Sequence, residues 1–390
     1  MPRLAPVIKT WGINVSLRVC HRSMPSVTKS SSQGCYLGQF KLVWPVILQL
    51  YYAMIKKHPN DKITIFDVAE HAGVSKSTVS LVLTHSDKVS DKSKVKVERA
   101  IAELGYVYNR DAASLRSRRS RLVALVINDL TNPYSAQLAV GLEQYIYDLG
   151  LVPMLVNTGE SFARQQQVVN TLKEYNVAAF VMCPAPETDK QWQNELIQSG
   201  FPVINIMREI SLSSAPCILP DNRKGTFLAA EHLLSQAVQE LAFIGGNSDI
   251  SDYHERLAGF EQALSEHPSA VHSHIINSAT TRQGGHQAFQ KLRRQAPSVQ
   301  AVVCFSDVIA YGFIEAMREV GLIPGKDIKV VGFDDLDDSA LMTPALSSVR
   351  IDAAEIGRRT TAVLKEIMAG NKAPVRTLID VELQVRESSL

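Results

Sequence analysis

At 390 residues, with 45% hydrophobic and 21% charged residues and a mean hydropathy of −0.02, the chain has room for two or three domains and the composition of a soluble globular protein. Its formal net charge of +2 hides an asymmetry: residues 1–55 hold 6 Lys/Arg and no acid, residues 56–121 hold 14 basic against 8 acidic side chains, and residues 122–390 hold 21 against 31. A small basic segment on a large acidic body fits a nucleic-acid reader joined to a regulatory domain, and disfavours a uniformly acidic or membrane-spanning class.

Residues 1–58 differ from the rest. They are basic and Ser-rich, and their one apolar run, Val43 to Ile55, is interrupted by Pro45 and is too short to span a bilayer. Lys56, Lys57 and His58 follow where a signal peptidase would need small residues. The expectation is an extension, disordered or mis-assigned, with Met54 as the true start.

The next stretch, Thr64 to Leu83, reads as two short helices with a tight turn between them. Thr64 can cap the first helix with Asp67 as its reciprocal partner, and Ile65, Val68, Ala69 and Ala72 form one apolar face. Gly73 supplies a left-handed stop, and small Ala69 against Gly73 is expected to let the helices cross closely. Ser75 then caps a second helix with Val79, Val82 and Leu83 inward and Lys76, Ser77, Ser80 and Leu81 outward. That is a helix-turn-helix, whose second helix can enter a DNA major groove. Ser90 is expected to cap a third helix carrying Val95, Val97, Ala100, Ile101 and Leu104, ended by Gly105. The DNA-binding domain spans 61–108.

Residues 109–120 read as a hinge helix and linker. The sequence from Asn109 through Leu115 and Arg116 to Arg121 is basic and Ser-rich. It is either a solvated tether or a segment that orders on DNA, its arginines on phosphates and Leu115 wedged in the minor groove.

From Leu122 the rhythm changes to apolar strand-like runs alternating with helical patterns. Strands are expected at 122–127, 152–156, 178–182, 202–206, 217–219, 241–245, 274–276, 301–305 and 329–333, with more within 377–385. The body over 121–390 is therefore α/β with parallel sheets, and nine or ten strands divide naturally into two subdomains. Cys183, Cys217 and Cys304 fall in or beside the strands as small hydrophobes, while Cys20 and Cys35 lie upstream. Five scattered cysteines without a C-x-x-C pair favour a reducing cytoplasm over a disulfide framework.

Catalytic grammar is sparse. There is no G-x-G-x-x-G, P-loop, G-x-S-x-G or H-E-x-x-H, so no enzyme, cofactor or metal is expected; His272-x-His274 lacks a third clustered ligand. Polar residues instead crowd the strand ends, where ligands bind in such folds. They are Asn128 and Asp129, Cys183, Met207 and Arg208, Asp221 and Asn222, Ser306 and Asp307, and Asp334 and Asp335, with Arg256 in the helix after Gly246. A charged Arg among Asp and Asn residues suits a polyhydroxylated ligand such as a sugar. Asp129, Asp221 and Asp307 also precede helices, so capping is an equal reading for Asp221 and Asp307.

These motifs resemble the lactose/galactose repressor (LacI/GalR) family of bacterial transcription regulators, from about Lys62 to the C-terminus. The resemblance is carried by T-I-F-D-V-A-E-H-A-G-V-S-K-S-T-V-S-L-V-L, A-I-A-E-L-G-Y-V-Y-N-R-D-A-A-S-L-R, N-D-L-T-N-P-Y, P-D-N-R-K-G, E-R-L-A-G-F, F-S-D-V-I-A-Y-G and V-V-G-F-D-D. The recognition helix is similar to that of the family's maltose-regulon branch.

The resemblance implies a homodimer on near-palindromic double-stranded operator DNA. DNA contacts would come from Thr64, Ser75, Lys76, Ser77, Thr78, Ser80 and Leu81, and from Asn109, Leu115 and Arg116 in the hinge. Leu81 stands where the family often has Arg, which removes a bidentate guanine contact. The body would resemble periplasmic sugar-binding proteins, with subdomains 121–218 plus 348–376 and 219–347 plus 377–390. The small-molecule effector, a sugar or sugar derivative, would meet Asn128, Tyr134, Cys183, Arg208, Arg256, Asp307 and Asp334, of which Tyr134, Arg256 and Asp334 match the family's cleft positions. Ser306 and the weakly polar Cys183 and Met207 depart from the family's sugar binders. The expected function is a ligand-responsive, cytoplasmic repressor of carbohydrate-metabolism genes, without a membrane partner. A dimer is favoured over a tetramer because no Leu heptad follows the last strands. The alternative is a periplasmic-type sugar-binding protein without a regulatory role.

Overall fold

The computed structural model describes residues 63–84, 86–108 and 120–390. The chain divides into two units, meeting in sequence between Tyr108 and Asn109. The expected extension, including Met54, and the hinge positions Asn109, Leu115 and Arg116 lie outside the described residues.

Among the described residues the first unit has three helices, α1 (Ile65–Ala72), α2 (Lys76–Leu83) and α3 (Asp91–Leu104). Thr64 and Asp67 form the reciprocal capping box on α1, and the Ser75 hydroxyl accepts from the Thr78 N–H to cap α2. The core is Val68, Ala69, Ala72, Val79, Val82, Val89, Val97 and Ala100. Three expectations change. Gly73 ends α1 at φ +63°, but a Cβ there would meet nothing within 4 Å, so its role is conformational and not close packing. Ser90 stands at the N-cap of α3 without bonding a helix N–H; its hydroxyl donates to Ser93 Oγ instead. Val95 is exposed, because it lies off the inward stripe of α3.

The second unit has two six-stranded sheets of matching order. The first uses β1 (Leu122–Ile127), β2 (Val152–Asn157), β3 (Ala179–Met182), β4 (Val203–Ile206), β5 (Cys217–Pro220) and β11 (Arg376–Ile379), in the order β11-β5-β4-β3-β1-β2. The second uses β6 (Glu240–Ile244), β7 (His272–Ile276), β8 (Ala301–Cys304), β9 (Lys329–Asp334), β10 (Ser347–Ile351) and β12 (Val381–Gln384), in the order β12-β10-β9-β8-β6-β7. All pairings are parallel except β10 with β12, where Val349 faces Leu383. Central strands such as Ala124–Ile127 and Ala301–Cys304 are buried on both faces, which is why they read as continuous apolar runs.

Helices cover the sheets: α4 (Pro133–Asp148), α5 (Phe162–Glu174), α6 (Lys190–Gln198) and α12 (Ala353–Met368) belong to the first subdomain. The second has α7 (Asn222–Leu234), α8 (Ser251–Glu266), α9 (Arg282–Gln295), α10 (Asp307–Glu319) and α11 (Asp337–Leu341), and a 3₁₀ turn at Glu387–Ser389. Glycines let helix pairs approach backbone to backbone. A Cβ on Gly357 of α12 would lie 2.1 Å from the Gly141 carbonyl oxygen of α4, and one on Gly312 of α10 would lie 1.7 Å from the Arg282 carbonyl oxygen of α9.

The chain passes between the subdomains three times, each time at an aspartate: Asp221, Asp352 and Asp380. Asp221 and Asp352 cap α7 and α12, while Asp380 pairs with Lys224 at 2.5 Å. The expected subdomain limits at 218/219, 347/348 and 376/377 therefore shift by two to four residues. The physical reason is strand pairing: β5 continues through Pro220, β10 pairs with β9 and β12, and β11 pairs with β5. β10 is absent from the strand expectations because its Ser347 and Ser348 read as loop residues, yet both are fully buried.

Candidate functional site

Two places carry the expected chemistry. The first is the outer face of α1 and α2, where Thr64, Ser75, Lys76, Ser77 and Leu81 are exposed and Thr78 and Ser80 half-buried. Thr64, Ser75 and Thr78 are engaged in caps: Ser75 Oγ lies 2.8 Å from both Ser77 Oγ and Thr78 Oγ1. Lys76 and Ser77, expected to meet base edges, occupy the first turn of α2. The sequence reading did not single out Phe66. Its ring is 62% exposed and carries the Lys76 ammonium 4.2 Å from its centroid. An exposed aromatic beside α2 limits where that cation can reach. Phe66→Leu keeps an apolar side chain without the ring's negative face. Its expected result is a threefold to tenfold loss of operator affinity, about 0.6–1.4 kcal/mol, together with relaxed base preference under Lys76 in a randomised-site selection; Phe66→Tyr should restore both.

The second place is the cleft between the subdomains of the α/β unit. From the first subdomain, Tyr134 enters on the opening turn of α4, whose N-cap Asn132 accepts the Tyr134 backbone N–H. Its hydroxyl is buried without a hydrogen-bond partner, and burial together with Asp334 holds its pKa well above the ordinary range. After β1, the Asn128 side-chain amide donates to Glu160 Oε1 at 2.8 Å. After β4, Arg208 donates to both Glu160 oxygens at 2.7 and 2.9 Å and to the Pro184 carbonyl at 3.1 Å. Its Nε lies 3.3 Å from Asp252 Oδ1 of the opposite subdomain. Burial works against this guanidinium, but Asp252 and Glu160 outweigh it and keep its pKa raised. Cys183 is buried beside these groups, and burial pushes its thiol up to about 12, so it stays a neutral wall.

From the second subdomain, α8 presents Arg256, 2% exposed. Its Nε donates to Asn222 Oδ1 at 2.8 Å and its Nη1 to the Phe305 carbonyl. Its guanidinium lies 3.7 Å from the Phe333 ring centroid and 4.5 Å from that of Phe305. Asp334 sits 3.9 Å away at the end of β9, with its backbone at φ +118°, a strained conformation for a side-chain-bearing residue. Burial drives the Asp334 carboxyl well above its usual range, while Arg256 pulls it back. Ser306 Oγ is a further buried hydroxyl without a partner.

Tyr134, Arg256 and Asp334 are thus brought together, and Asn128 joins Arg208 through Glu160. Asp307 is different. It is fully buried, and its carboxylate accepts from Ser339 Oγ and Ser348 Oγ, each at 2.6 Å, and from the Leu336 N–H at 2.8 Å. Those bonds hold the loop that follows Asp334. Burial pushes the Asp307 carboxyl up to about 6 from 3.8. The folded state therefore retains a proton that the unfolded chain releases between those values, and the stability from this group falls as pH rises from about 4 to about 6. Asp307→Asn removes that titration and leaves donors unpaired. Urea midpoints should show the wild-type advantage over Asp307→Asn to be larger at pH 4.5 than at pH 7, with the variant about 1–3 kcal/mol less stable.

The sequence reading missed Glu160 and Asp252. Asp252 stands four residues before Arg256, one helical turn away on the same face of α8, and that spacing was a usable signal. Glu160 meets Arg208 across 48 residues and had no local signal. Beside this charge cluster a cavity of about 270 Å³ opens along the crossings, lined by Met207, Pro220, Asn222, Asp252, Glu255 and Arg376, among others. His274 bonds Glu240 of the neighbouring strand at 2.7 Å. Among the described residues, no helix is long and apolar enough to cross a membrane.

Comparison with known proteins gives a consistent result. Residues 64–109 match the family model for bacterial regulatory proteins of the lacI family, and residues 230–389 match the periplasmic binding protein-like domain. The chain is 31% identical over 319 residues to the ribose operon repressor of Haemophilus influenzae, covering 81% of this chain and 95% of that protein. It is 32% identical over 265 residues to the maltose regulon regulatory protein MalI of Escherichia coli, covering 67% and 78%. Among solved structures it is similar to the lac repressor dimer bound to operator and the anti-inducer ONPF, with a TM-score of 0.77 and 26% identity over 85% of this chain and 100% of that one.

Proposed function

The chain belongs to the LacI family of bacterial regulatory proteins, and from that premise we propose that it represses carbohydrate-metabolism genes, as a homodimer on a near-palindromic operator, in response to a small polyhydroxylated effector. Its relatives of known function here are transcriptional regulators. The observation that carries the effector reading is the cleft: Tyr134 of one subdomain and Ser306 of the other each leave a buried hydroxyl without a hydrogen-bond partner, beside Arg256 and Asp334 and the Arg208–Asp252 ion pair that joins the two subdomains. Buried polar atoms without partners are costly, and a ligand rich in hydroxyls, each both donor and acceptor, satisfies them.

In this reading Thr64, Ser75, Lys76, Ser77, Thr78, Ser80 and Leu81 meet the operator, with Asn109, Leu115 and Arg116 ordering on it. Asn128, Tyr134, Arg208, Arg256 and Asp334 meet the effector, Cys183 is a wall, and Asp307 positions Asp334. Two copies present two headpieces one DNA turn apart. Effector binding changes the angle between the α/β subdomains and so shifts operator affinity through residues 109–119. The protein acts in the cytoplasm, on the nucleoid.

The test is selection of DNA from genomic fragments by the full chain, with and without residues before Arg121. Site-specific retention that needs those residues supports the reading; absence of any preferred site overturns it and leaves a plain solute binder. Leu115→Ala should weaken operator binding about tenfold or more by mobility shift while the calorimetric affinity for effector stays the same.

A further inference from the structure

We propose that the start of α8 is a latch that holds the two α/β subdomains closed before any effector binds, with Arg208 and Arg376 as its positioning residues. This goes beyond the effector reading above, since the latch needs no ligand. Three observations carry it.

First, three contacts between the subdomains converge on one end of α8. The Glu209 N–H donates to Ser251 Oγ at 3.0 Å, Arg208 Nε stands 3.3 Å from Asp252 Oδ1, and Arg376 Nη2 stands 3.8 Å from Glu255 Oε1. Ser251 and Asp252 open α8, and Glu255 follows one turn after Ser251, so the three lie together where the helix dipole also favours carboxylates. Opposite them, Met207 takes a left-handed φ of +65°, which turns the chain after β4 just before Arg208 and Glu209, and Arg376 opens β11.

Second, each arginine is already held by its own subdomain. Arg208 donates to both Glu160 oxygens, at 2.7 and 2.9 Å, and Arg376 donates to Glu209 at 2.7 Å. The contacts of both arginines with α8 are longer ion pairs without hydrogen-bond geometry. The two bridges therefore share one plan: a first acid fixes the arginine, and the arginine draws a second acid on α8 towards it. A side chain fixed beforehand loses little entropy when the subdomains close. When they part, neither arginine is stranded, and only Asp252 and Glu255 must be rehydrated. Both positions are thus within reach, as a latch requires and a permanent interface does not.

Third, the two bridges differ in exposure. The side chains of Arg208 and Asp252 are 8% and 9% exposed, those of Arg376 and Glu255 41% and 44%. Salt at about 1 M screens exposed charges beyond about 3 Å but acts much less on a buried pair. Salt therefore loosens the outer bridge and spares the inner one, a signature that apolar packing between the subdomains would not give.

The Glu209 amide reports on the latch directly, because its acceptor belongs to the other subdomain. Its hydrogen exchange is followed at residue resolution by mass spectrometry on the dialysed full chain, with no small molecule added. In wild type it should exchange about tenfold or more below its intrinsic rate, and raising NaCl from about 50 mM to about 1 M should speed it about threefold. Glu255→Gln should be about threefold faster than wild type at low salt and equal to it at high salt, while Glu255→Asp, which keeps the charge, should retain part of the salt dependence. Asp252→Asn, of equal size but uncharged, should speed exchange about tenfold or more and leave the amide of Phe243 in β6 as in wild type. Exchange at the intrinsic rate in unliganded wild type, exchange indifferent to salt, or an Asp252→Asn effect shared by Phe243 each overturns the proposal. The wild-type salt series and the half-exposed Glu255 decide even if Asp252→Asn does not fold. Operator affinity of Asp252→Asn, at one salt concentration and without effector, is read separately. A change of about threefold or more supports both the latch and its coupling to DNA. Faster exchange with unchanged affinity leaves the latch standing and counts against the regulatory coupling alone.

Discussion

Replacing Arg256 by alanine is expected to abolish the effector response while operator binding persists. The guanidinium lies against two aromatic rings and serves three oxygen acceptors at once: Asn222, the Phe305 carbonyl and, at longer range, Asp334. Removing it leaves the Asp334 carboxylate buried without its counter-charge and opens a gap between Phe305 and Phe333. Breaking a buried pair from one side typically costs about 3–5 kcal/mol. Asp334 limits the damage, since its carboxyl is already held well above the ordinary range and can take up a proton. A domain of this size can absorb such a loss at 25 °C and remain folded. The cleft, however, loses the side chain that links α7, α8, β8 and β9. Mobility shifts with and without effector should show unresponsive DNA binding, and urea unfolding of the α/β unit should move to lower midpoint. Arg256→Lys should recover part of the stability but little of the response, because a compact ammonium cannot lie flat against the two rings or span from Asn222 to the Phe305 carbonyl as the planar guanidinium does. An Arg256→Ala protein that still releases its operator on effector addition would show that the cleft is not the sensor.

Gly312→Ala should be still more damaging to folding. The added methyl would lie 1.7 Å from the Arg282 carbonyl oxygen and 2.6 Å from the carbonyl carbon, so backbone and not a movable side chain stands in its way. The facing position is equally tight: a Cβ on Gly285 would fall 2.0 Å from the Ile309 carbonyl oxygen. The only relief is separation of α9 from α10, which breaks contact between buried Phe289 and Phe313, whose ring centroids are 5.2 Å apart. Overpacking of this kind costs about 3 kcal/mol or more. Gly321→Ala is the matched control. Its φ of +78° is unfavourable for alanine, but no atom lies within 4 Å of the new methyl, so the cost should be about 1 kcal/mol. Equal denaturation midpoints for the two variants would mean that the helix crossing is not as close as described.

The parts of the molecule that were legible from the sequence are those whose signals are local. Thr64 with Asp67, Ser75 with Thr78, and the left-handed Gly73 all act within three or four residues, and α1 and α2 follow from them; α3 was legible from its apolar spacing and the left-handed Gly105 that ends it. The apolar strands of the second unit were equally plain, since burial on both faces leaves no polar position to confuse the pattern. β10 was not legible as a strand. Its serines look solvated, and their burial is explained only by acceptors far away in sequence: Ser348 donates to Asp307, 41 residues distant. The same holds for the cleft. Arg208 was singled out from its place at a strand end, but its partners Glu160 and Asp252 lie 48 and 44 residues away, and no periodicity connects them. Asp307 was ambiguous for the opposite reason. A carboxylate at the start of a helix after a strand reads alike as cap, ligand contact or loop anchor, and three bonds from Leu336, Ser339 and Ser348 give it the last role.

The triple passage at Asp221, Asp352 and Asp380 sets an order on biosynthesis. The first sheet begins to leave the ribosome at Leu122, but it lacks α12 and its edge strand β11 until Ile379 has been made. The second sheet likewise waits for β12 and for the last serines, which lie fully buried at its end. The headpiece is complete by Tyr108, so at ordinary elongation speeds it precedes a finished body by tens of seconds. During that interval a nascent chain has its headpiece but neither sheet complete and no cleft between them. The two sheets and the cleft between them are therefore completed together, once β11 and β12 have both been made.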